Sequence, residues 1–316
     1  MDILINTLLL IAGFILLIKG ADWFVDGAAG IASKMGISQL VIGLTIVAMG
    51  TSAPEAAISI SSAIKGSAGI AVGNVLGSNI MNILMILGIT AVITPLAVQK
   101  STIRYEIPFV IAITGILSIT GLSNNRLGRA DGAILIILFL CYLGYLFIMS
   151  KSDSDNLPDD IGERSESAPV PKLILLLVTG VLLIILGSNL TVDSATFLAK
   201  NFGVSDRIIG LTIVAFGTSL PELATCIAAA IKKNADIAIG NIVGSNIFNI
   251  LFVLGLSSLI TPIEYSRDFM SDSILCIFTG ILLFVLVSNK HMKLKRIGGV
   301  IMVVSYLAYF TATTLL

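Results

Sequence analysis

Gly43 to Glu55 reads GLTIVAMGTSAPE, and Gly210 to Glu222 reads GLTIVAFGTSLPE. Eleven of these thirteen positions are identical, at an offset of 167 residues. The same offset, without a gap, aligns GNVLGSNIMNILMILG from Gly73 with GNIVGSNIFNILFVLG from Gly240. It also aligns Asp26 with Asp193 and Thr94-Pro95 with Thr261-Pro262. Chance does not give this agreement, so the chain is two copies of one unit. Composition says what surrounds the copies. Of 316 residues, 56% are hydrophobic and 12% charged, about half the charge of a soluble domain. Mean hydropathy is +1.02, and a soluble globule of this length cannot bury so much apolar surface. A cytosolic enzyme, a nucleic-acid binder and a disordered scaffold are excluded, leaving a polytopic membrane protein. The 19 basic and 19 acidic residues balance, so no polybasic footprint for nucleic acid exists.

A membrane-spanning helix needs about 20 mostly apolar residues. That window picks out ten spans, at 3–22, 39–64, 70–93, 105–121, 129–149, 172–190, 206–231, 237–259, 270–287 and 297–315. The first lacks a basic n-region and a cleavage site and reads as a retained helix. Ser150 to Pro171 is rich in Asp, Ser and Pro and reads as a solvated linker. The expected organisation is a first five-helix repeat at 1–149, a linker at 150–171 and a second repeat at 172–316. Five crossings is an odd number, so the second copy must start from the opposite face. The expected fold is all-α, ten transmembrane helices in two inverted repeats, with the second and seventh helices broken. One face collects six basic residues, Lys65, Arg126, Arg129, Lys200, Arg207 and Arg267. The other collects the remaining thirteen, including Lys151, Arg164, Lys172, Lys232, Lys233, Lys290, Lys293, Lys295 and Arg296. The positive-inside rule puts that face and the linker in the cytoplasm and both termini outside.

Each copy places a proline and a glutamate inside an apolar span, Pro54-Glu55 and Pro221-Glu222. A carboxylate at bilayer depth costs about 2.5–3.5 kcal/mol even on the lenient insertion scale, and such residues line polar pathways. Proline breaks the helix and frees carbonyls just before it, tolerated at this depth only where they face a cavity or find partners. Ala48, Thr51 and Ser52 therefore offer oxygens beside Glu55, and Ala215, Thr218 and Ser219 beside Glu222. Ala48, Thr51 and Glu55 share one helix face. So do Ser78 and Asn82, and Ser245 and Asn249. The glycines of GNxxGSN allow close helix approach. The converging groups are all hard oxygen ligands, which suit Ca²⁺, Na⁺, Mg²⁺ or Mn²⁺. Flexible coordination by 6–8 oxygens favours Ca²⁺ over Mg²⁺. Two ionised glutamates are hard to move across a barrier unless one Ca²⁺, or two or more Na⁺, neutralises them. Only loaded states then switch access, as in an antiporter. Cys141, Cys226 and Cys276 are scattered through apolar stretches and form neither a disulfide framework nor a zinc site. His291, the single histidine, reads as a surface residue. No HExxH and no intramembrane histidine supports a hydrolase, and inverted repeats with broken helices fit a transporter better than a channel.

These motifs resemble the alpha repeats of the sodium/calcium exchanger family, within the cation/calcium exchanger superfamily. GTSAPE with GNVLGSNIMN is similar to the first repeat, and GTSLPE with GNIVGSNIFN to the second. The compact linker is similar to that of prokaryotic members. The resemblance implies a Na⁺/Ca²⁺ antiporter of the plasma membrane, not an enzyme, with Ca²⁺ and Na⁺ as transported ions and no cofactor. It implies that Glu55 and Glu222 bind Ca²⁺ with the carbonyls of Thr51 and Thr218. Flanking Na⁺ sites would use Ala48, Ser52 and Ser78, and Ala215, Ser219 and Ser245. Asn82 and Asn249 would complete the centre. The first and sixth helices would form the sliding gate. The chain is expected to work as a monomer in the lipid bilayer. Many family members carry aspartate at the position of Asn249. Asparagine here holds the carboxylate count at two and argues against K⁺ co-transport. Proton-coupled relatives show an acidic residue and a histidine where this chain has Ser78-Asn79 and Ser245-Asn246. A Ca²⁺ (or Mn²⁺/Mg²⁺)/H⁺ exchanger of the same superfamily is the alternative.

Overall fold

The computed structural model describes residues 2–65, 69–152, 168–203, 215–265 and 269–315. The first copy holds α1 (Asp2–Met35), α2 (Gln39–Thr51), α3 (Ala53–Ile64), α4 (Gly69–Ile93), α5 (Ile107–Asn124) and α6 (Arg129–Ser152). The second holds α7 (Val170–Asn201), α8 (Ala215–Thr218), α9 (Leu220–Ile231), α10 (Ala235–Ile260), α11 (Phe269–Val287) and α12 (Arg296–Leu315). Four two-residue strands join them: β1 (Leu96–Ala97), β2 (Arg126–Leu127), β3 (Ile263–Glu264) and β4 (Lys293–Leu294). Among the described residues, seven helices are long and apolar enough to cross a membrane, or eight if α2 and α3, bent by 52°, make one span. Leu220–Ile231 and Arg296–Ala312 are shorter apolar helices. The count of ten spans is therefore not reached on length alone, and residues 206–214 of the seventh lie outside the described set. So does most of the linker. The protein is a helical membrane protein. Large apolar side chains stand exposed along its outer helices, among them Ile119, Ile148, Leu175 and Ile297, a surface suited to lipid and not to water.

Two expected boundaries are corrected. The first span does not stop at residue 22, nor the sixth at 190. A hydropathy window ends where Lys19, Asp22 and Asp26 begin, but charges do not end a helix. Ala21, Phe24, Val25, Ala28 and Ala32 stay buried on one face. The helix stops only where Gly36 takes φ +63, and α7 stops before Gly203 at φ +80, the left-handed conformation that glycine adopts readily. At 1.5 Å per residue α1 is about 50 Å long, beyond the ~30 Å hydrocarbon core.

α1 and α7 pack against each other through small residues. A Cβ on Gly13 would meet the Gly187 carbonyl at 3.0 Å, and one on Gly20 the Gly180 carbonyl at 2.9 Å. At Gly27 the near neighbours are Leu173 and Leu177. Rising numbers on α1 face falling numbers on α7, so the pair is antiparallel. Gly180 and Gly187 are also the repeat equivalents of Gly13 and Gly20, so each glycine touches the equivalent of the other. The strands repeat this exchange: Leu96 pairs with Leu294, and Leu127 with Ile263. Such reciprocal contacts are the mark of a two-fold axis, here a local one relating the two copies.

Candidate ion-binding site

α2 stops at Thr51. Ser52 (φ −83, ψ 10) turns the chain into α3, whose second residue is Pro54. Proline in a first turn gives up an N–H that has no helical partner anyway. The break therefore creates a helix N-terminus in the protein interior, with Glu55 in its first turn. Unpaired N–H groups and the positive end of the helix dipole lie beside that carboxylate. Ser219 (φ −91, ψ 3), Pro221 and Glu222 repeat this at the start of α9. Both glutamates are only 1% exposed. Their charges lie close enough to repel each other, and the Thr218 side chain sits beside Glu55.

α4 and α10 cross at the centre of the molecule. Asn79 Nδ2 donates to the Asn246 carbonyl at 3.2 Å, and Asn246 Nδ2 to the Asn79 carbonyl at 3.3 Å. Asn82 Nδ2 donates to Asn246 Oδ1 at 3.3 Å, and Asn249 Nδ2 to Asn79 Oδ1 at 3.1 Å. The amide nitrogens of Asn82 and Asn249 are thus engaged, while their Oδ1 atoms are buried without a hydrogen-bond partner. Each asparagine also opens a π-helical segment, Asn82–Leu87 or Asn249–Leu254, a local irregularity common at functional sites.

The other oxygens follow. Ser52 Oγ donates to Glu222 Oε1 at 2.8 Å, and Thr51 Oγ1 to Asn241 Oδ1 at 2.9 Å. Asn74 Nδ2 donates to the Glu55 carbonyl at 3.2 Å and to Ser59 Oγ at 2.9 Å. Both Glu55 carboxylate oxygens, Glu222 Oε2 and Ser219 Oγ are buried without a hydrogen-bond partner. A buried unsatisfied polar group costs about 1–3 kcal/mol, more if charged. Six such oxygens on the broken helices and the crossing pair form a ligand set for a hard cation. Among the described residues no group of three or more His, Cys, Asp or Glu could hold a metal ion. The set is two carboxylates completed by neutral oxygens.

The expected bare carbonyls are corrected in part. Ala48 O accepts from Ser52 N at 3.0 Å, Ser52 O from Ala56 N at 3.1 Å, and Ser219 O from Leu223 N at 3.1 Å. The short helices close their own hydrogen bonds, which leaves the Ser52 and Ser219 carbonyls a second lone pair, while Ala48 O also accepts from Thr51 Oγ1 at 3.3 Å. Ser245 Oγ also reaches Ala48 O, at 3.4 Å. Ser78 is buried on α4 one turn before Asn82. Ala215 begins α8, and the residues just before it lie outside the described set. The sequence reading missed Asn79, Asn246, Asn74 and Asn241. It also missed Ser188, whose Oγ donates to the Gly217 carbonyl at 2.7 Å. That carbonyl loses its helical donor because Pro221, four residues on, has no N–H. Motif doubling marked Asn79 and Asn246. The remaining signal is that Asn74 and Asn241 occupy equivalent places in GNxxGSN.

The family described as sodium/calcium exchanger protein matches residues 5–148 and 172–315. A candidate antiporter, CaxA of Alkalimonas amylolytica, is 41% identical over 97% of this chain and 98% of its own. The sodium/calcium exchanger MaX1 of Methanosarcina acetivorans is 34% identical over 97% of this chain and 98% of its own. Crystals of the sodium-calcium exchanger NCX_Mj, soaked without Na⁺ or Ca²⁺, give a structure that superposes with a TM-score of 0.84 at 32% identity, covering 98% of this chain and 99% of the other.

Proposed function

The chain belongs to the sodium/calcium exchanger family of membrane antiporters, and we propose that it exchanges Na⁺ for Ca²⁺ across the plasma membrane by alternating access. The observation that carries this reading is the set of six buried oxygens without hydrogen-bond partners on Glu55, Glu222, Asn82, Asn249 and Ser219. Ca²⁺ is held by Glu55, Glu222, the two asparagine oxygens and the carbonyls of Thr51 and Thr218. Na⁺ takes the same centre and two flanking positions, one of Ala48, Ser52 and Ser78, the other of Ala215, Ser219 and Ser245. Two carboxylates give the ion-free centre a charge of about minus two. One Ca²⁺, or two or more Na⁺, cancels it, and cancellation lowers the cost of moving the centre past an apolar barrier. Access then switches only in loaded states, which is exchange and not leak.

On this reading the chain is ten spans in two inverted five-helix copies, 1–149 and 172–316, joined by the linker 150–171. The reciprocal contacts support the inversion, because antiparallel α1 and α7 are equivalent helices running opposite ways. The split of basic residues supports cytoplasmic placement of the linker and external termini. Both halves of the site lie on one chain, which supports a monomeric unit. The test is ⁴⁵Ca²⁺ uptake into proteoliposomes with a gradient of Na⁺, K⁺ or H⁺ as the only driving force. Uptake driven by Na⁺ alone, lost in Glu55→Gln and Glu222→Gln, is the expected result. Uptake driven by pH and indifferent to Na⁺ makes the protein a Ca²⁺/H⁺ exchanger and overturns the counter-ion.

A further inference from the structure

Lys232 caps the C-terminus of α9 and reaches across to α1. Its Nζ lies 2.8 Å from Asp26 Oδ1 and 3.5 Å from Asp22 Oδ1, and it donates to the Asp22 carbonyl at 2.7 Å. These are the charges that extend α1 past the apolar window. The 167-residue offset carries the trio to Lys65, Asn189 and Asp193. Lys65 caps α3 just as Lys232 caps α9. Lys65, Asn189 and Asp193 are all exposed, and no ion pair joins them among the described residues. Because α1 and α7 are antiparallel, Asp26 and Asp193 lie toward opposite ends of the pair, about 25 Å apart along its axis. The α1/α7 pair is therefore fastened to a site-bearing half-helix at one end and unfastened at the other.

We propose that the Lys232–Asp26/Asp22 cluster and the Lys65–Asp193 pair are two latches that close in alternation. Each ties the α1/α7 pair to the half-helix that begins with a site glutamate, α9 through Glu222 and α3 through Glu55. Exchanging the conformations of the two copies is the simplest route to a second state of a two-fold molecule. That exchange breaks Lys232 from Asp26 and brings Lys65 to Asp193. Lys232, Asp22, Asp26, Lys65 and Asp193 are positioning residues that touch no ion. The latches are unequal, since the first has two carboxylates and a backbone carbonyl while Asn189 replaces one carboxylate in the second. Partly exposed pairs are weak, so the inequality biases the two states by only about two- to fivefold, leaving both populated.

The inference rests on the alternating-access reading but not on the cargo. In a Cys141→Ala background, which removes the exposed thiol, two pairs are introduced: Asp26→Cys with Lys232→Cys, and Lys65→Cys with Asp193→Cys. Lysine reach separates the backbones beyond disulfide range, so a short reducible bis-methanethiosulfonate bridges them. A protease site in the linker, between the two members of each pair, lets a gel report bridging as failure of the halves to separate. Each pair is expected to bridge, to stop transport when bridged and to release it on reduction. A chain carrying all four cysteines should form one bridge per molecule, never both. Asp22→Asn with Asp26→Asn should speed bridging of the Lys65→Cys/Asp193→Cys pair about two- to fivefold. A transporting protein in which that pair never bridges, or in which both bridges form together, overturns the inference. Alternating bridges in a protein that carries ions other than Na⁺ and Ca²⁺ uphold the latches while removing the cargo reading.

Discussion

Asn79 is not a proposed ligand, yet replacing it tests the logic of the site most sharply. Its Oδ1 holds the Asn249 amide nitrogen at 3.1 Å, and its Nδ2 holds the Asn246 carbonyl at 3.2 Å. The first bond decides which end of the Asn249 carboxamide is free. With Nδ2 engaged, Oδ1 is the presented atom, and it is buried without a partner. Asn79→Ala removes that constraint. Asn249 then gains by turning its N–H₂ group toward the glutamates, where it donates to a carboxylate and repels a cation. Two hydrogen bonds are lost, so the ion-free protein loses about 1–3 kcal/mol. The cation loses one oxygen and meets a misdirected donor. Removing the group that orients a ligand costs about 10- to 100-fold in metal affinity, which is about 1.4–2.7 kcal/mol. The assay is Ca²⁺ binding by calorimetry in detergent, with thermal melting in the absence of Ca²⁺ as the check on folding. The local two-fold requires Asn246→Ala to act in the same way through Asn82. A variant that melts lower but binds Ca²⁺ as tightly as the parent would refute the orienting argument, because Asn79 would then only be packing.

Other substitutions separate ligand from scaffold. Ser219 Oγ has no hydrogen-bond partner, so Ser219→Ala should leave the ion-free melting temperature unchanged or slightly raised while weakening cation binding about three- to tenfold; Ser52→Ala, which strips the donor from Glu222 Oε1, should lower both. Ser188→Ala uncovers the Gly217 carbonyl and should destabilise the protein by about 1–3 kcal/mol, read as a fall in melting temperature. Gly180→Ala would put a Cβ 2.5 Å from the Phe24 nitrogen, and overpacking of this kind costs about 1–3 kcal/mol. Lower thermal stability and slower exchange are expected, and an unchanged protein would mean that α1 and α7 do not pack as described.

The repeat, the helix breaks and the two intramembrane glutamates were legible in the sequence because each violates a strong rule. A proline and a carboxylate inside an apolar span stand out against lipid, and their doubling removes chance. The lengths of α1 and α7 were not legible. Hydropathy reports what faces lipid, whereas a helix persists until its hydrogen bonding is interrupted, here at Gly36 and Gly203. The partners of the carbonyls were not legible either. Proline predicts which oxygen loses its donor but not that Ser188, some thirty residues earlier, would supply another. The asparagines divide in the same way. Asn82 and Asn249 were found by their spacing from Ser78 and Ser245, a property of one helix. Asn79 and Asn246 act only across the axis, a property of two helices.

The two-fold is exact where the copies cross and fails nearer the half-helices, and the departures have a direction. The asparagine quartet is bonded reciprocally, so the crossing of α4 and α10 is a fixed point that neither copy can move without the other. Away from it the second copy is the better fastened. Ser188 covers the Gly217 carbonyl, whereas its equivalent, Ala21, has no hydroxyl to offer Gly50. Lys232 is bonded to α1, whereas Lys65 is exposed. Ser52 Oγ donates to Glu222 Oε1, whereas Oγ of its equivalent, Ser219, has no hydrogen-bond partner. The Ser188 and Lys232 contacts tie down the two ends of the segment from Gly217 to Lys232 that bears Glu222, and among the described residues the copy bearing Glu55 has no counterpart to either. The Ser188 contact is written in the sequence, whereas the Lys232 contact is a difference of conformation, since Lys65 and Asp193 stand at the equivalent positions. On the proposed alternating-access reading this is one member of a pair of conformations, with the half bearing Glu222 fastened by Lys232 and the half bearing Glu55 not, and those roles exchange about the asparagine crossing.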